Sequence, residues 1–180
     1  MGGRKVLTLD EVIQRLKEVL GDNFLEEGEF RGQRFVILRK DGVREAIKLL
    51  KDLGFNHLQT LTGVDYLRIP NRGTRFEVVY QLYSIEKRLQ LRLRIEVPED
   101  DPEVDSIVDL FPCANFLERE VYDLLGIRFK GHPNLKRILL PENWVGHPLR
   151  KDYPLEPEEK PLDFIELKKL NEELLKYGIK

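Results

Sequence analysis

Cysteine is nearly missing from this chain: Cys113 stands alone among 180 residues, alongside one methionine and one tryptophan. A single thiol cannot close an internal disulfide, and an iron–sulfur cluster needs about four thiolates. The pattern reads as a reducing, intracellular setting. No run approaches the roughly 18 consecutive apolar residues of a membrane span. The start, MGGRKVLTLDEV, lacks the apolar core of a signal peptide, and Val6 stands where a myristoylation motif wants Ser or Thr. If the protein works at a membrane, another chain is expected to bring it there. Neither sign of charge dominates: 30 Lys and Arg stand against 32 Asp and Glu, a formal net charge of -2. That balance lacks the basic excess used to bind phosphate backbones, which argues against nucleic acid as a partner. Also absent are the nucleophile elbow G-x-S-x-G, the P-loop, the dinucleotide fingerprint G-x-G-x-x-G and the zinc motif H-E-x-x-H. High charge of both signs with few Cys, Met and Trp suits a thermophile.

What is present is a soluble-type composition, 41% hydrophobic, long enough to bury a core without staples. Thr8 through Leu20 has helical spacing (Leu9, Val12, Ile13, Leu16, Val19, Leu20), with Thr8 and Glu11 as a capping box and Gly21 as the stop. Arg34–Arg39 predicts a short strand. Asp41-Gly42 turns into a second helix, Val43–Leu53, closed by Gly54. The period then changes to two: Phe55–Leu67 predicts a strand, and Phe76, Val78, Tyr80 and Leu82 share one face of Arg75–Tyr83. In the next strand Leu89, Leu91, Leu93, Ile95 and Val97 alternate with polar residues, and the short link Ser84–Arg88 makes a hairpin. The expected fold is α+β: a two-layer domain with a mostly antiparallel sheet packed on helices, followed by a helix and an extended C-terminal segment. The expected divisions are 1–110 for the α+β domain, 111–155 for a helix and docking segment, and 156–180 for a helical tail. A last helical pattern runs from Leu162 to Tyr177, and the acidic run Glu156–Glu159 reads as solvent-facing charge.

Asn115–Gly126 (NFLEREVYDLLG) carries the most information. Asn115 as cap and Glu118 three positions on suggest a capping box, Leu117, Val121, Leu124 and Leu125 a buried stripe, and Arg119 with Asp123 a surface pair. Glu118, Arg119 and Glu120 point in different directions because adjacent helix residues lie about 100° apart. Such a cluster beside an apolar stripe suits a polar interface in which each charge meets another chain. Two Gly-His-Pro turns, at Gly131-His132-Pro133 and Gly146-His147-Pro148, follow. Read as rigid turns, they lay an extended segment along a surface, with His and Arg donating hydrogen bonds into it. That segment, Gly131–Pro154, is expected to be protease-sensitive in the free chain. The competing class is a freestanding thiol or metal enzyme using Cys113 with His132 or His147, with His57 as another candidate base. Cys113 otherwise reads as a small buried residue.

The string NFLEREVYDLLGIRFKGHPNLKRILLPENWVGHPLRKDYPLE, with Thr62-Gly63-Val64-Asp65-Tyr66 before it, resembles the C subunit of respiratory complex I, the proton-translocating NADH–quinone oxidoreductase. Related subunits occur in F420H2 dehydrogenases and energy-converting membrane-bound hydrogenases. The resemblance implies a non-catalytic, peripheral subunit on the cytoplasmic side of the inner membrane. It implies no cofactor in this chain, with FMN and iron–sulfur clusters in partner subunits. It further implies docking mainly on the D subunit beside the quinone site, near the B and I subunits. The partner-docking positions it marks are Glu118, Arg119, Glu120, Asp123, His132, Arg137, His147, Arg150, Lys151, Asp152 and Tyr153.

Overall fold

The computed structural model describes residues 7–70, 72–155 and 162–176. It opens on helix α1 (Leu9–Leu20). The capping box forms as predicted: the Thr8 hydroxyl accepts the Glu11 N–H at 3.3 Å, and the Glu11 carboxylate accepts the Thr8 N–H at 3.1 Å. Val12, Ile13, Leu16 and Leu20 are buried, but Val19, expected in the same stripe, is exposed. Strand β1 (Phe24–Phe30, FLEEGEF) has no counterpart in the sequence reading. Its three glutamates and central glycine are poor strand formers. Pairing with β2 (Gln33–Arg39) and packing of Phe24 on the core override that local preference. Helix α2 (Val43–Asp52) buries Val43, Ala46, Ile47 and Leu50.

Strands β3 (His57–Asp65), β4 (Phe76–Ser84) and β5 (Leu89–Val97) form the expected meander. The sheet order is β1-β2-β5-β4-β3, antiparallel except where β2 lies parallel to β5. One face carries the core, with Phe76, Val78, Tyr80, Leu82, Leu91, Leu93, Ile95 and Val97 all buried. The other face is closed by polar rungs. Arg94 clamps Glu77 with two 2.8 Å bonds, and Arg92 donates to Gln81 at 2.9 Å. These pairs let Glu77 be buried.

Beyond the meander, β6 (Glu103–Asp105) pairs in parallel with β7 (Arg128–Lys130), bracketing helix α3 (Ala114–Leu125). Val121, Leu125, Ile127 and Phe129 join the same cluster as the sheet, so the core runs continuously across residue 110. Helix α4 (Leu162–Lys176) lies where the last helical pattern was read. The N-terminal stretch through Val6, the acidic run Glu156–Glu159 and the expected helix end at Tyr177 lie outside the described residues.

Helix α3 rests on β3 through Gly63. A Cβ there would stand 2.4 Å from a Leu125 methyl and 3.1 Å from a Val121 methyl. Gly63→Val is therefore expected to lower stability by about 1–3 kcal/mol through overpacking, seen as a lower melting midpoint. Gly73→Ala, where an added Cβ meets nothing within 4 Å, is the control and should leave the midpoint unchanged.

Candidate functional site

Helix α3 begins earlier than its sequence suggested. The Ala114 N–H already bonds the Phe111 carbonyl at 2.8 Å and the Asn115 N–H the Pro112 carbonyl at 3.2 Å. Cys113 takes the cap position without a side-chain bond, so Asn115 lies inside the helix and there is no Asn115–Glu118 capping box. The inner stripe is Ala114, Glu118, Val121 and Leu125, while Leu117 and Leu124 are half-buried. Glu118 thus occupies a core position at 0% exposure. Its carboxylate accepts from the Ser106 hydroxyl at 2.6 Å and from the Ile107 N–H at 2.8 Å.

One turn on, Asp123 is also wholly buried, and it does not pair with Arg119. Its Oδ2 accepts three successive backbone N–H groups, from Ile138, Leu139 and Leu140, at 3.0, 2.8 and 2.9 Å. Its Oδ1 takes Arg137 at 2.7 Å, and the Arg137 guanidinium reaches on to the carbonyls of Trp144 and Gly146 at 2.9 and 3.0 Å. Burial alone would raise the Asp123 pKa. The Leu140 N–H, Arg137 and the Ile138 and Leu139 N–H groups overcome that and hold it below the ordinary carboxylate value. Arg119 donates instead to the carbonyls of Lys136 and Arg137, at 3.1 and 2.9 Å. Residues 136–146 are therefore fastened to α3 by one carboxylate and two guanidinium groups.

The second Gly-His-Pro turn closes the end of the same helix. A helix leaves its last four carbonyls without intrahelical donors. Here the Gly126 N–H serves Tyr122, His147 Nδ1 and Arg137 serve Asp123, the Leu149 N–H serves Leu124, and Arg150 serves Leu125. A carbonyl only accepts, so His147 Nδ1 carries the proton. Burial lowers the His147 pKa, the Asp123 carbonyl pulls the other way, and the Arg150 and Arg137 charges add to the lowering, which favours the neutral ring. Gly126 makes the close approach possible. Its φ is +75°, and a Cβ there would fall 2.5 Å from the His147 ring and 2.6 Å from Arg150.

Farther along, Lys151 and Asp152 are tied to the sheet. Buried Asp65 accepts the Lys151 N–H at 2.8 Å and the Leu67 N–H at 2.9 Å, and Arg75 grips it at 3.0 and 3.2 Å. The same guanidinium holds Asp152 at 2.7 Å and Glu99 at 2.5 Å. Burial pushes the Asp65 carboxyl up, but Arg75 and the two N–H groups bring it below its ordinary value.

Comparison with known proteins places this arrangement. Residues 36–159 match the family model described as the respiratory-chain NADH dehydrogenase, 30 kDa subunit. The chain belongs to that family. The C subunit of the NADH-quinone oxidoreductase of Roseiflexus sp. strain RS-1 is 48% identical over 151 residues, 82% of this chain and 85% of that protein. NADH-quinone oxidoreductase subunit 5 of Thermus thermophilus is 44% identical over 146 residues, 78% of this chain and 70% of that protein. A solved trypsin-resistant fragment (1–134) of a protein named Nqo5 superposes with a TM-score of 0.62 at 40% identity, covering 69% of this chain and 99% of the fragment. A chain of an archaeal membrane-bound sulfane sulfur reductase, at TM-score 0.67 and 23% identity over 88% of this chain and 89% of that one, shares the fold.

As a member of the 30 kDa family, the chain is one component of a complex I-type respiratory assembly of many subunits. Its predicted docking residues divide by environment. Glu118 and Asp123 are interior, and Arg119, His132, Arg137, His147 and Arg150 are half-buried with partners in this same chain. Asp152, though largely exposed, pairs with Arg75, and the Tyr153 hydroxyl donates to the Val145 carbonyl at 3.0 Å. Within this chain Arg119 and Asp123 bond the Gly131–Pro154 segment, Glu118 bonds Ser106 and Ile107, and Asp152 bonds Arg75. The segment lies along the surface as the two turns suggested, but on α3 of its own domain. Glu120 and Lys151 remain exposed. His132 uses both ring nitrogens, with Nε2 on the Asn115 carbonyl at 3.2 Å and Nδ1 accepting the Asn134 N–H at 3.0 Å. Cys113 is exposed, not a buried filler. Among the described residues no three His, Cys, Asp or Glu side chains converge on a metal position, and no helix is long and apolar enough to cross a membrane. Sequence reasoning overlooked Arg75, Ser106 and the exposed Val145, and the exposed Leu139 and Leu149 appeared only within a matched string. Asp65 appeared only within a matched string, and nothing in its spacing announced a contact 86 residues away.

Proposed function

We propose that this chain is a cofactor-free docking subunit in the peripheral arm of a proton-translocating NADH–quinone oxidoreductase. It is seated mainly on the D subunit beside the quinone site, with the B and I subunits adjoining, on the cytoplasmic side of the inner membrane. FMN and iron–sulfur clusters belong to those neighbours. The observation that carries this reading is an exposed apolar set on a stiffened backbone. Leu139, Val145 and Leu149 are 62, 53 and 54% exposed, on the segment that Asp123, Arg137, His147 and Arg150 hold in place. A preorganised apolar surface rimmed by charge, here Glu120 and Lys151, is what stable docking on a neighbour needs. In this reading Arg119, Asp123, His132, Arg137, His147, Arg150, Asp152 and Tyr153 act by shaping the docking segment, while Glu120, Lys151, Val145 and the leucines touch the partner. The relatives' names supply NADH as the expected donor.

The test is the triple variant Leu139→Asp, Val145→Asp, Leu149→Asp in the native complex. These positions are exposed, so the isolated chain should melt within about 1 kcal/mol of the parent. Loss of three anchors at about 1–2 kcal/mol each should remove the variant from complexes isolated from membranes. Normal recovery with a D-type subunit sinks the docking face. A mass inventory of the intact complex lacking flavin-type NADH-oxidising subunits sinks the donor.

A further inference from the structure

Below the docking segment, Glu118 presents a chemistry that the docking role does not use. It is a carboxyl at 0% exposure in the stripe of α3, and its direct partners are neutral: the Ser106 hydroxyl and the Ile107 N–H. The cation that acts on it, Arg44 of α2, is already committed. Its guanidinium bonds the Ser106 carbonyl at 2.5 Å and both oxygens of Asp109 at 2.9 and 2.8 Å. The other ionisable groups acting on this place are Asp109 in the turn after β6, Asp105 of β6 and Tyr80 of β4. Asp109 repels a carboxylate here, while Asp105 acts on Tyr80 and Arg44. Tyr80 is wholly buried, and its hydroxyl has no hydrogen-bond partner among the described residues. An anion here is desolvated with no cation of its own.

The Ser106 hydroxyl makes the place usable in two states. Against a carboxylate it donates, as its 2.6 Å distance fits. Against a carboxylic acid the same oxygen accepts, while the other carboxyl oxygen keeps the Ile107 N–H. The Ser106 oxygen also accepts the Val108 N–H at 3.3 Å, and its second lone pair lets the hydroxyl rotate between the two roles without moving the backbone. We propose that Glu118 and Ser106 form an internal proton-binding site, which takes up and releases one proton while the fold stays intact and thereby sets how firmly α3 is seated. Burial pushes the Glu118 carboxyl up to about 7. The Ile107 N–H and Ser106 hydroxyl oppose that rise, Asp109 adds to it and Arg44 counters it. The sign follows from linkage. Because the folded state holds this proton more tightly than the unfolded chain, stability is gained as pH falls through about 7 and the gain is complete below the unfolded glutamate value of about 4.3. Above pH 7 the seat of α3 is weakest.

The experiment uses the full chain labelled with carbon-13 at glutamate side-chain carboxyls, titrated by NMR, with melting midpoints recorded from about pH 8.5 to about pH 5.5. One carboxyl should titrate near neutrality and be absent in Glu118→Gln. The parent midpoint should rise as pH falls across that range, and the Glu118→Gln midpoint should lose that component of the slope. Ser106→Ala removes a donor from the charged form and should move the carboxyl titration upward by roughly one pH unit. Imidazoles give no carboxyl signal, so the three histidines do not confuse the reading. A Glu118 carboxyl titrating with ordinary glutamates overturns the proposal. So does an identical pH slope in parent and Glu118→Gln, or a titration that Ser106→Ala leaves unmoved. Should Glu118→Gln fail to fold, the parent titration and Ser106→Ala decide alone.

Discussion

Asp123→Ala is expected to unfasten residues 136–146 and to cost about 3–5 kcal/mol, the range for breaking a buried ion pair by removing one partner. The N–H groups of Ile138, Leu139 and Leu140 lose their acceptor at once, and Arg137, whose side chain is 13% exposed, loses its carboxylate and keeps only carbonyls. For a chain of this size the loss should appear as a fall of roughly 10 °C in the melting midpoint. Trypsin provides a local readout, because Lys136 and Arg137 lie within the fastened stretch. Cleavage there should accelerate on the order of 100-fold, if opening is controlled by a contact of about 3 kcal/mol at 1.4 kcal/mol per decade. Asp123→Asn keeps the shape and one acceptor oxygen, and should fall between parent and alanine variant. Since the folded carboxyl lies below its ordinary value, the stability it contributes is present above about pH 4 and is lost as pH falls below that. Unchanged melting and cleavage in Asp123→Ala would mean that the fastening contributes nothing.

Arg75→Ala is expected to be nearly as damaging, for the opposite reason: it strands an acid. The Asp65 side chain is 0% exposed and Arg75 is its only ion-pair partner among the described residues, so removing the guanidinium leaves a buried charge supported by two N–H groups. The expected cost is again about 3–5 kcal/mol. Glu99 and Asp152 on the same guanidinium are 60 and 52% exposed, so Glu99→Ala should cost less than about 1 kcal/mol. The decisive comparison is the cycle with Asp65→Ala. If the pair acts as a unit, Arg75→Ala/Asp65→Ala should be less damaging than the sum of the single changes by about 1–3 kcal/mol, measured by denaturant melts. Additive losses would show that the two side chains act independently.

Much of the fold is legible because its signals are local. The Thr8–Glu11 box, the stripes of α1 and α2 and the strict alternation of β5 each need only neighbours within one or two turns or a single strand. Strand β1 was invisible because its glutamates say loop, and only the edge of β2 makes FLEEGEF a strand. Helix α3 was found, but its phase was misjudged. Reading Asn115 as the cap placed Glu118 on the surface, whereas the Phe111-Pro112-Cys113 turn starts the helix earlier and brings the acid inward.

The same division holds at the site. The concentration of acid, arginine and Gly-His-Pro turns between Asn115 and Pro154 was apparent from residue order alone, as was the family it resembles. A linear string records which charges exist but not which pairs close the loop. The partners of Asp123 lie 14 to 17 residues ahead and those of Asp65 up to 86 residues ahead. Charge patterning by itself therefore does not show the contacts that Arg119, Asp123 and Asp152 make within the chain. Residue order determined the elements and the chemistry available to them. Tertiary structure alone decided which charges are interior, because desolvation and hydrogen-bond geometry depend on what arrives from distant positions, and that left Leu139, Val145 and Leu149 facing outward.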